Sequence, residues 1–303
     1  MTVLVTGASG FIGKRLCKRL DQKNIPVRAV LRNEDDKFKE VVLCDFEKED
    51  LANEAYHGIE TIFHLAGCTH DVDNQSTFEV YKKINTEATT KLAHAAVENR
   101  VSSFVFVSSV KAGGSPVTGQ VIDETDQQEP EGIYGKTKRE AELNLLNIGA
   151  QSNMHISIIR PTLVYGPGLK GNLLQMYKAV EKGWFPPLPF VNNARSLIHV
   201  DDLIEALLLV AWDTRARNQI FIATDGQSYS SREIYEAMCH ALDKNIPKWF
   251  IPYFIFLVPS FFSSNLKHKV NKLFGDAKYS SEKLESIGFK AQYSFGGNNE
   301  KII

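Results

Sequence analysis

The stretch "VLVTGASGFIGKRL" (residues 3–16) joins an apolar run, three glycines and the start of an amphipathic segment. Gly7, Gly10 and Gly13 separate the apolar run from a helix that we expect to begin near Phe11. In such a turn the first glycine permits a tight bend and the second lets the backbone approach a pyrophosphate. The third lets the helix pack closely on the strand, and amides at the helix start face the phosphates. The pattern predicts a dinucleotide site after the first strand.

The rest of the chain repeats this alternation of strand and helix. Short runs that are apolar at nearly every position are separated by longer segments with helical spacing. Such runs suit strands that are buried on both faces, as in a parallel sheet covered by helices. The runs are TVLVT (2–6), PVRAVL (26–31), VVLCD (41–45), TIFHLA (61–66), FVFVSS (104–109) and ISIIRP (156–161). We therefore predict an α/β fold of the Rossmann type, with a doubly wound parallel sheet.

The regular pattern fades after residue 168, and "QIFIAT" (219–224) is expected to return to the sheet. We predict a dinucleotide-binding domain and a smaller C-terminal substrate-binding lobe, with the substrate in the cleft between them. Their predicted ranges are 1–165 plus 197–225 for the domain and 166–196 plus 226–303 for the lobe. The apolar stretch 249–262 is too short and too interrupted by proline to span a bilayer. We expect it to pack in the lobe, with a membrane-surface helix as the alternative.

Composition narrows the class of partner. The 303 residues include 35 Lys plus Arg and 36 Asp plus Glu, a balance that gives no electrostatic reason to expect a nucleic-acid partner. The four cysteines are scattered without a C-x-x-C pair, which fits thiols in a reducing compartment. The first apolar run leads directly into the glycine turn, so we expect no targeting segment. These features predict a cytoplasmic protein with a small-molecule partner and no transmembrane segment.

Residues after the second and third strands bear on the cofactor. Arg32 stands where many NAD-binding folds carry an acid that binds the ribose hydroxyls. A guanidinium suits a ribose 2′-phosphate, so we predict NADP(H), with Asn33 as a neighbouring donor and NAD(H) as the alternative. The competing interpretation of Arg32 is a solvent-exposed surface charge. Asp45 is placed to accept a hydrogen bond from an adenine amine, or else to cap a turn.

A tyrosine and a lysine stand four residues apart in "GIYGKTKREAE" (132–142), at the start of a predicted helix. Tyr134 and Lys138 therefore project from one helix face. A tyrosine with its ordinary pKa of about 10 is a weak base, and a nearby ammonium stabilises its phenolate. Spacing alone is weak support for catalysis, but the preceding dinucleotide pattern makes the pair a candidate for proton transfer.

At this point the chain resembles the extended short-chain dehydrogenase/reductase family, in particular its NAD-dependent epimerase/dehydratase branch. Matching segments follow one another in order over nearly the whole chain. They are TGASGFIG (6–13), HLAG (64–67), INTEATTKLAHAA (84–96), VSSVKAGG (107–114), YGKTK (134–138), RPTLVYGPG (160–168) and RSLIHVDDLIEA (195–206).

The resemblance implies roles for individual residues. Ser109 would hydrogen-bond the substrate oxygen, Tyr134 would move the proton, and Lys138 would hold the nicotinamide ribose. A further set would line the cofactor. Its members are Gly7, Gly10, Phe11, Ile12, Gly13, Arg32, Asn33, Asp45, Phe46, Leu65, Ala66, Gly67, Ser108 and Pro161.

The resemblance also implies a sugar-nucleotide substrate. Arg195 would hold its diphosphate and Asn172 its nucleotide, with a surface ion pair and a helix cap as the respective alternatives. Lys111 departs from the family pattern and either approaches a substrate anion or points to solvent. Leu163 replaces an asparagine that contacts substrate in many sugar epimerases. A homodimer is a further expectation from the family.

A metal site is not expected. His64, Cys68, His70, Asp71 and Asp73 cluster in the sequence, but their spacing matches no common zinc pattern and hydride transfer needs no metal.

The predicted chemistry is hydride transfer at carbon 4 of a UDP-linked hexose. We favour reduction of a UDP-4-keto-6-deoxy-hexose, N-acetylated or not, for polysaccharide synthesis, because Arg32 suits a dissociable phosphorylated cofactor and "SSVKAGG" (108–114) resembles the turn of such reductases. The alternative is a UDP-glucose or UDP-GlcNAc 4-epimerase. A dehydratase fits less well, since Val110 and Lys111 replace its acidic pair. A non-catalytic NADP(H) sensor is a remote alternative, because Ser109, Tyr134 and Lys138 are all present.

Overall fold

A computed structural model describes residues 1–69, 75–114, 119–260 and 263–297. The strands are β1 (Thr2–Thr6), β2 (Val27–Leu31), β3 (Glu40–Leu43), β4 (Ile59–His64), β5 (Ser103–Val107), β6 (His155–Pro161), β7 (Leu163–Tyr165), β8 (Leu197–His199) and β9 (Gln219–Ala223). Seven of them form one parallel sheet in the order β3-β2-β1-β4-β5-β6-β9, and β7 pairs with β8 in a second, small sheet. The predicted doubly wound α/β fold is confirmed.

Helices cover both faces of the main sheet. They are α1 (Phe11–Gln22), α2 (Gln75–Tyr81), α3 (Ala88–Glu98), α4 (Gly132–Gln151), α5 (Gly171–Glu181), α6 (Val200–Trp212), α7 (Ser231–Ala241), α8 (Tyr253–Ser260), α9 (Ser264–Phe274) and α10 (Glu282–Ser286). A π-helical turn, Lys82–Glu87, joins α2 to α3. Such turns occur mostly as local bulges in helices and are frequent at functional sites.

The two faces of the sheet explain why its strands are apolar at every position. In β1, Val3 and Val5 belong to the core under α1 and α6, whereas Leu4 belongs to the core under α3 and α4. All three side chains are fully buried. A strand with solvent on one face would instead alternate apolar and polar residues.

A third core lies outside the main sheet and is built from α5, α7, the β7–β8 pair and the end of α9. Its members include Leu173, Tyr235 and Phe274. By contrast, Leu284 and Phe289, near the C-terminus, pack in the core of the main sheet under α1 and α6. The predicted division of the chain into a domain and a lobe stays a prediction.

A buried ion pair fixes α4 on the sheet. Arg160 of β6 donates from Nε to Glu142 Oε1 (2.9 Å) and from Nη2 to Glu142 Oε2 (2.6 Å), and both side chains are fully buried. Removing one partner of such a pair leaves an uncompensated charge in the protein interior. Because Glu142 lies one turn beyond Lys138, the pair also sets the rotation of the α4 face that carries Tyr134 and Lys138.

The apolar stretch beginning at residue 249 packs only in part. Phe256 contacts Phe274 of the third core (ring centroids 5.1 Å apart), but Trp249, Phe254 and Val258 are exposed. Residues 261 and 262 of this stretch lie outside the described residues. No helix in the described ranges is long and apolar enough to cross a membrane.

Candidate active site

The candidate site lies where the carboxyl ends of β1, β4, β5 and β6 meet. After β1 the chain forms β2 and β3, which extend the sheet towards one edge. It then returns to the other side of β1 with β4, and β5 and β6 extend the sheet towards the opposite edge. The strand order therefore reverses between β1 and β4. In open α/β sheets the crevice at such a reversal is the place where ligands bind.

Gly7 and Gly13, in the turn after β1 and at the start of α1, have no room for a side chain. Gly7 has φ +67°, and a Cβ there would come within 2.8 Å of the Ala66 amide nitrogen. A Cβ at Gly13 would lie 2.2 Å from the Gly7 carbonyl oxygen. Gly10 is the N-cap of α1, and it has no side chain that could accept a hydrogen bond from the first amides of the helix. These amides can therefore donate to a ligand. This backbone cradle fits a pyrophosphate, with Phe11 and Ile12 partly buried beside it.

The segment after β4 forms the opposite wall of the crevice. The hydroxyl of Thr6 accepts hydrogen bonds from the amides of Leu65 (3.2 Å) and Ala66 (3.1 Å), which ties β1 to this wall. Gly67 follows, exposed, and a Cβ there would lie 3.2 Å from Lys138 Nζ. The wall therefore runs from the glycine turn to the predicted catalytic lysine.

His64 is a buried, neutral link in this wall. Its Nδ1 lies 2.7 Å from Thr6 Oγ1 and its Nε2 lies 2.8 Å from Thr89 Oγ1. Because the Thr89 hydroxyl donates to the Asn85 carbonyl, it accepts from His64, and Nε2 carries the ring proton. Burial, with a smaller effect from the charge of Lys138, lowers the pKa of His64 to about 3. His64 is a structural hydrogen-bonding residue in this arrangement.

Sequence reasoning gave no role to Asn85, which the structure places at the centre of the site. Its Oδ1 accepts from the Cys68 amide (2.8 Å), and its Nδ2 donates to the Cys68 carbonyl (3.1 Å) and to Thr137 Oγ1 (3.2 Å). Asn85 stands on the π-helical turn and joins the β4 wall to α4. An asparagine followed by threonines at a helix start was the only signal of this role in the sequence.

Lys138 is almost fully buried, with 2 % of its surface exposed. Its Nζ donates to the Val107 carbonyl (3.0 Å), lies 4.4 Å from the ring centroid of Phe106 and lies 6.0 Å from that of Tyr134. Burial lowers the pKa of Lys138 to about 8, although the Glu142 carboxylate opposes part of that effect. The ammonium thus stands on the same face as the Tyr134 ring.

Ser109 and Tyr134 are brought to the same edge by two adjoining elements. Ser109 follows β5, and its hydroxyl accepts from the Lys111 amide (3.3 Å) to cap a short 3₁₀ turn. The amide of Glu131, the N-cap of α4, donates to the Lys111 carbonyl (2.9 Å), so that turn lies beside the start of α4. Tyr134 stands in the first turn of α4 with its ring edge-on to Tyr81, at 6.4 Å between centroids. Their roles in catalysis stay predictions.

Lys111 lies near this edge, and its ammonium is close to a carboxylate. Lys111 Nζ is 3.7 Å from Glu131 Oε1, and both side chains are about two-thirds buried. Ser108 is buried beneath the turn and its amide donates to the Ile159 carbonyl (2.8 Å), while Pro161 ends β6 in a buried position.

The residues predicted for the adenosine side lie at the ends of β2 and β3. Arg32 and Asn33 are exposed directly after β2. Asp45 caps a turn: hydrogen bonds from Lys48, 3.1 Å away, and from the Glu47 amide hold the pKa of its carboxyl below the usual range. This geometry matches the turn-cap alternative, and an adenine contact by Asp45 stays a prediction. Phe46 packs edge-on against His64, with 5.9 Å between ring centroids.

The two residues predicted for the substrate nucleotide stand in different surroundings. Arg195 is largely buried, and its Nη1 donates to the carbonyls of Lys272 (2.6 Å) and Gly275 (3.3 Å) at the end of α9. Asn172 is exposed in the first turn of α5. Neither residue forms a surface ion pair or a side-chain cap within the ranges described.

Metal binding has no support in the part of the chain that the structure covers, where no group of His, Cys, Asp and Glu could hold an ion. His70, Asp71 and Asp73 lie outside it. The His199 ring is nearly buried and accepts from the Asp201 amide (3.2 Å) at the start of α6.

Comparisons with known proteins show the family and the fold. Residues 3–223 match the model of the NAD dependent epimerase/dehydratase family. A UDP-glucose 4-epimerase of Vibrio cholerae is 34 % identical over 83 % of this chain and 78 % of its own. An N-acetyl-α-D-glucosaminyl-diphospho-ditrans,octacis-undecaprenol 4-epimerase of Escherichia coli O157:H7 is 24 % identical over 99 % and 94 %. The solved Thermus thermophilus UDP-glucose 4-epimerase, in complex with NAD, has a similar fold (TM-score 0.74, 20 % identity, 98 % and 96 % covered).

Proposed function

The chain belongs to the NAD dependent epimerase/dehydratase family, and we propose that within it the protein is a 4-epimerase of a UDP-linked hexose. Its homologues are NAD-dependent enzymes, which supports an enzyme acting on sugar nucleotides, and the presence of Ser109, Tyr134 and Lys138 argues against a non-catalytic cofactor sensor. The observation that carries the proposal is the placement of Ser109, Tyr134 and Lys138 along one sheet edge beside the glycine cradle. The 34 % identity with a UDP-glucose 4-epimerase supports the choice of reaction.

In this proposal the chain's own groups bind the sugar and move its proton. A nicotinamide held by the glycine cradle and the β4 wall supplies the acceptor and donor of a hydride at carbon 4. Tyr134, as phenolate, accepts the proton of the 4-hydroxyl and later returns it. Lys138 stabilises that phenolate through its positive charge, because the two groups share one face of α4. Ser109 donates its hydroxyl to the sugar oxygen and keeps it within reach of Tyr134.

The placement of Arg195 supports a diphosphate-bearing substrate. Its Nη1 is held by carbonyls at the end of α9, and within the described ranges its Nε and Nη2 make no hydrogen bond. A fixed guanidinium with donors to spare suits a phosphate oxygen. Leu163 is partly buried in β7, and its apolar side chain can offer the substrate no polar contact.

A second candidate is the reduction of a UDP-4-keto-6-deoxy-hexose. Arg32 favours it, since this guanidinium is exposed at the end of β2, where it suits the 2′-phosphate of NADPH. The family is NAD dependent by its description, and the preference for NADP(H) stays a prediction. The epimerase is the first choice because the related curated enzymes named above are 4-epimerases.

The experiment supplies UDP-glucose or UDP-GlcNAc with NAD⁺, and in parallel a UDP-4-keto-6-deoxy-hexose with NADPH. The epimerase proposal expects the C4 epimer in the first reaction without lasting accumulation of NADH. Stoichiometric loss of absorbance at 340 nm in the second reaction alone would replace it with the reductase. Tyr134→Phe is expected to abolish whichever reaction occurs, and unchanged turnover in that variant would refute the catalytic assignment.

A cytoplasmic location and a homodimer are further parts of the proposal. The four cysteines form no disulfide, which supports a reducing compartment. Sedimentation velocity of the purified chain tests the dimer, with a monomer at micromolar concentration as the contrary result.

A further inference from the structure

Two segments of the third core's surface expose a cluster of large apolar side chains, called here the apolar face. Its members are Trp184, Phe190, Trp249, Phe250, Phe254, Ile255 and Val258. Phe190 and Phe250 join the segments through edge-to-face rings with 5.6 Å between centroids, and the Ile251 amide donates to the Pro187 carbonyl (3.1 Å). Single exposed apolar residues are ordinary on protein surfaces, whereas a contiguous group marks an interaction site.

These side chains are exposed to an unusual degree for their size. Trp184 is 82 % exposed, Phe190 72 %, and Trp249 and Phe254 are each 63 % exposed. The opposite side of α8 is anchored, because Phe256 packs on Phe274 in the third core. Phe254, Ile255 and Val258 of α8 are exposed on its other side.

The length of α8 decides how it could meet a bilayer. Its eight residues extend about 12 Å, against about 30 Å for the hydrocarbon core. Pro252 directly precedes it and Pro259 stands in its last turn. A helix of this length can lie in the interfacial region with its apolar side immersed, but it cannot span the bilayer.

The charges around the apolar face indicate which partner it meets. Residues 244–275 contain five lysines and no aspartate or glutamate, in a chain whose net charge is −1. Lys248 and Lys267 are exposed on either side of α8 in the sequence. Lysines attract an anionic lipid surface, and tryptophan prefers the boundary between head groups and acyl chains. A second copy of this chain would bring like charges together, which opposes self-association through this face.

We propose that the apolar face docks the enzyme on a bilayer that carries anionic phospholipids. Trp184, Trp249 and Phe254 would enter the head-group boundary, and the flanking lysines would contact lipid phosphates. α8 packs through Phe256 on Phe274 at the end of α9, where the carbonyls of Lys272 and Gly275 hold Arg195. Docking would thus bring the candidate diphosphate site close to the membrane surface. This inference does not depend on the reaction that the site performs.

The first test is co-sedimentation of the full chain with vesicles. We expect binding to vesicles of phosphatidylcholine with about one-third phosphatidylglycerol, weakened by raising the salt concentration, and little binding to phosphatidylcholine alone. Phe254→Ser with Val258→Ser should weaken binding at least about tenfold. Val121→Ser is the matched control, since Val121 is 48 % exposed and Val258 52 % exposed but Val121 lies outside the apolar face. Absence of binding to anionic vesicles at low salt, or equal binding by both variants, would overturn the proposal.

The second test uses the three tryptophans as reporters. A Trp184→Phe, Trp212→Phe protein keeps Trp249, and a Trp184→Phe, Trp249→Phe protein keeps Trp212, whose ring packs on Phe63 of β4 (6.3 Å). With vesicles containing brominated lipid, we expect quenching and a blue shift for Trp249 only. An unquenched Trp249, or equal quenching of both, would contradict docking through this face. A dimer that dissociates in the Phe254→Ser, Val258→Ser protein would assign the face to a second copy instead.

Discussion

Replacing Lys138 by methionine should abolish activity and stabilise the fold. Burial lowers the pKa of Lys138 from 10.5 to about 8, so the native state holds its proton less tightly than the unfolded chain. At pH 7 that difference corresponds to about 3 kcal/mol of lost unfolding free energy. The variant loses the hydrogen bond to the Val107 carbonyl, which costs it about 1 kcal/mol of that gain. We therefore expect Lys138→Met to be about 2 kcal/mol more stable than the parent at pH 7.

The sign of the pH dependence is a sharper test than the gain itself. The penalty for the buried ammonium is complete below pH 8 and disappears as the pH rises towards 10.5, where the unfolded chain also loses its proton. The stability difference between the variant and the parent should fall by about 2 kcal/mol between pH 7 and pH 9.5. Urea unfolding of nucleotide-free protein at both pH values measures this difference.

Lys136→Met provides the control for this experiment. Lys136 is exposed, with its Nζ 3.0 Å from Glu129, so its replacement should change stability by less than about 0.5 kcal/mol at either pH. A Lys138→Met protein that is less stable than the parent at pH 7, or a difference that does not vary with pH, would refute the reasoning. Turnover should fall at least about 100-fold in Lys138→Met.

Three further predictions concern the scaffold. Glu142→Gln leaves the Arg160 guanidinium buried without its counter-charge and should cost about 3–5 kcal/mol in urea unfolding; near-parental stability would contradict this. Burial raises the pKa of Asp225 to about 6, so this carboxyl should contribute a downward slope in stability of about 2 kcal/mol between pH 4 and pH 7. Asp225→Asn should remove that slope, and an equal slope in both proteins would exclude Asp225 as its cause. Gly13→Ala places a methyl 2.2 Å from the Gly7 carbonyl and should abolish NAD⁺ binding, measured by isothermal titration calorimetry. Gly58→Ala is the control: its φ of +73° should cost about 1 kcal/mol of stability, but nothing lies within 4 Å of the added methyl and NAD⁺ binding should persist.

Local patterns were sufficient to predict the sheet and the glycine turn. The strands are apolar at nearly every position because both faces of the sheet are covered. Gly10 and Gly13 are required by backbone contacts within a few residues, whereas Gly7 is also required by the distant backbone of Leu65 and Ala66. Tyr134 and Lys138 share a helix face by their spacing alone. Ser109 needed the family resemblance, because its strand carries no signal of chemistry.

Contacts between distant parts of the chain could not be read in this way. His64 stood in a sequence cluster of metal-binding residue types, but its partners, Thr6 and Thr89, lie 58 and 25 residues away. The surroundings of Arg195 depend on carbonyls 77 and 80 residues later. The sequence also could not predict that the apolar face is exposed, because an aromatic run that packs in a core and one that meets a lipid surface have similar composition.

The site would invert the configuration at carbon 4 by removing a hydride from one face of the sugar and, after the keto sugar has rotated, returning it to the other face. The most direct measurement is proton NMR of UDP-glucose incubated with the enzyme and a sub-stoichiometric amount of NAD⁺. The account predicts conversion to an equilibrium mixture with UDP-galactose, many turnovers per NAD⁺, and none with Tyr134→Phe. An unchanged UDP-glucose spectrum, together with stoichiometric NADPH consumption by a UDP-4-keto-6-deoxy-hexose, would contradict it.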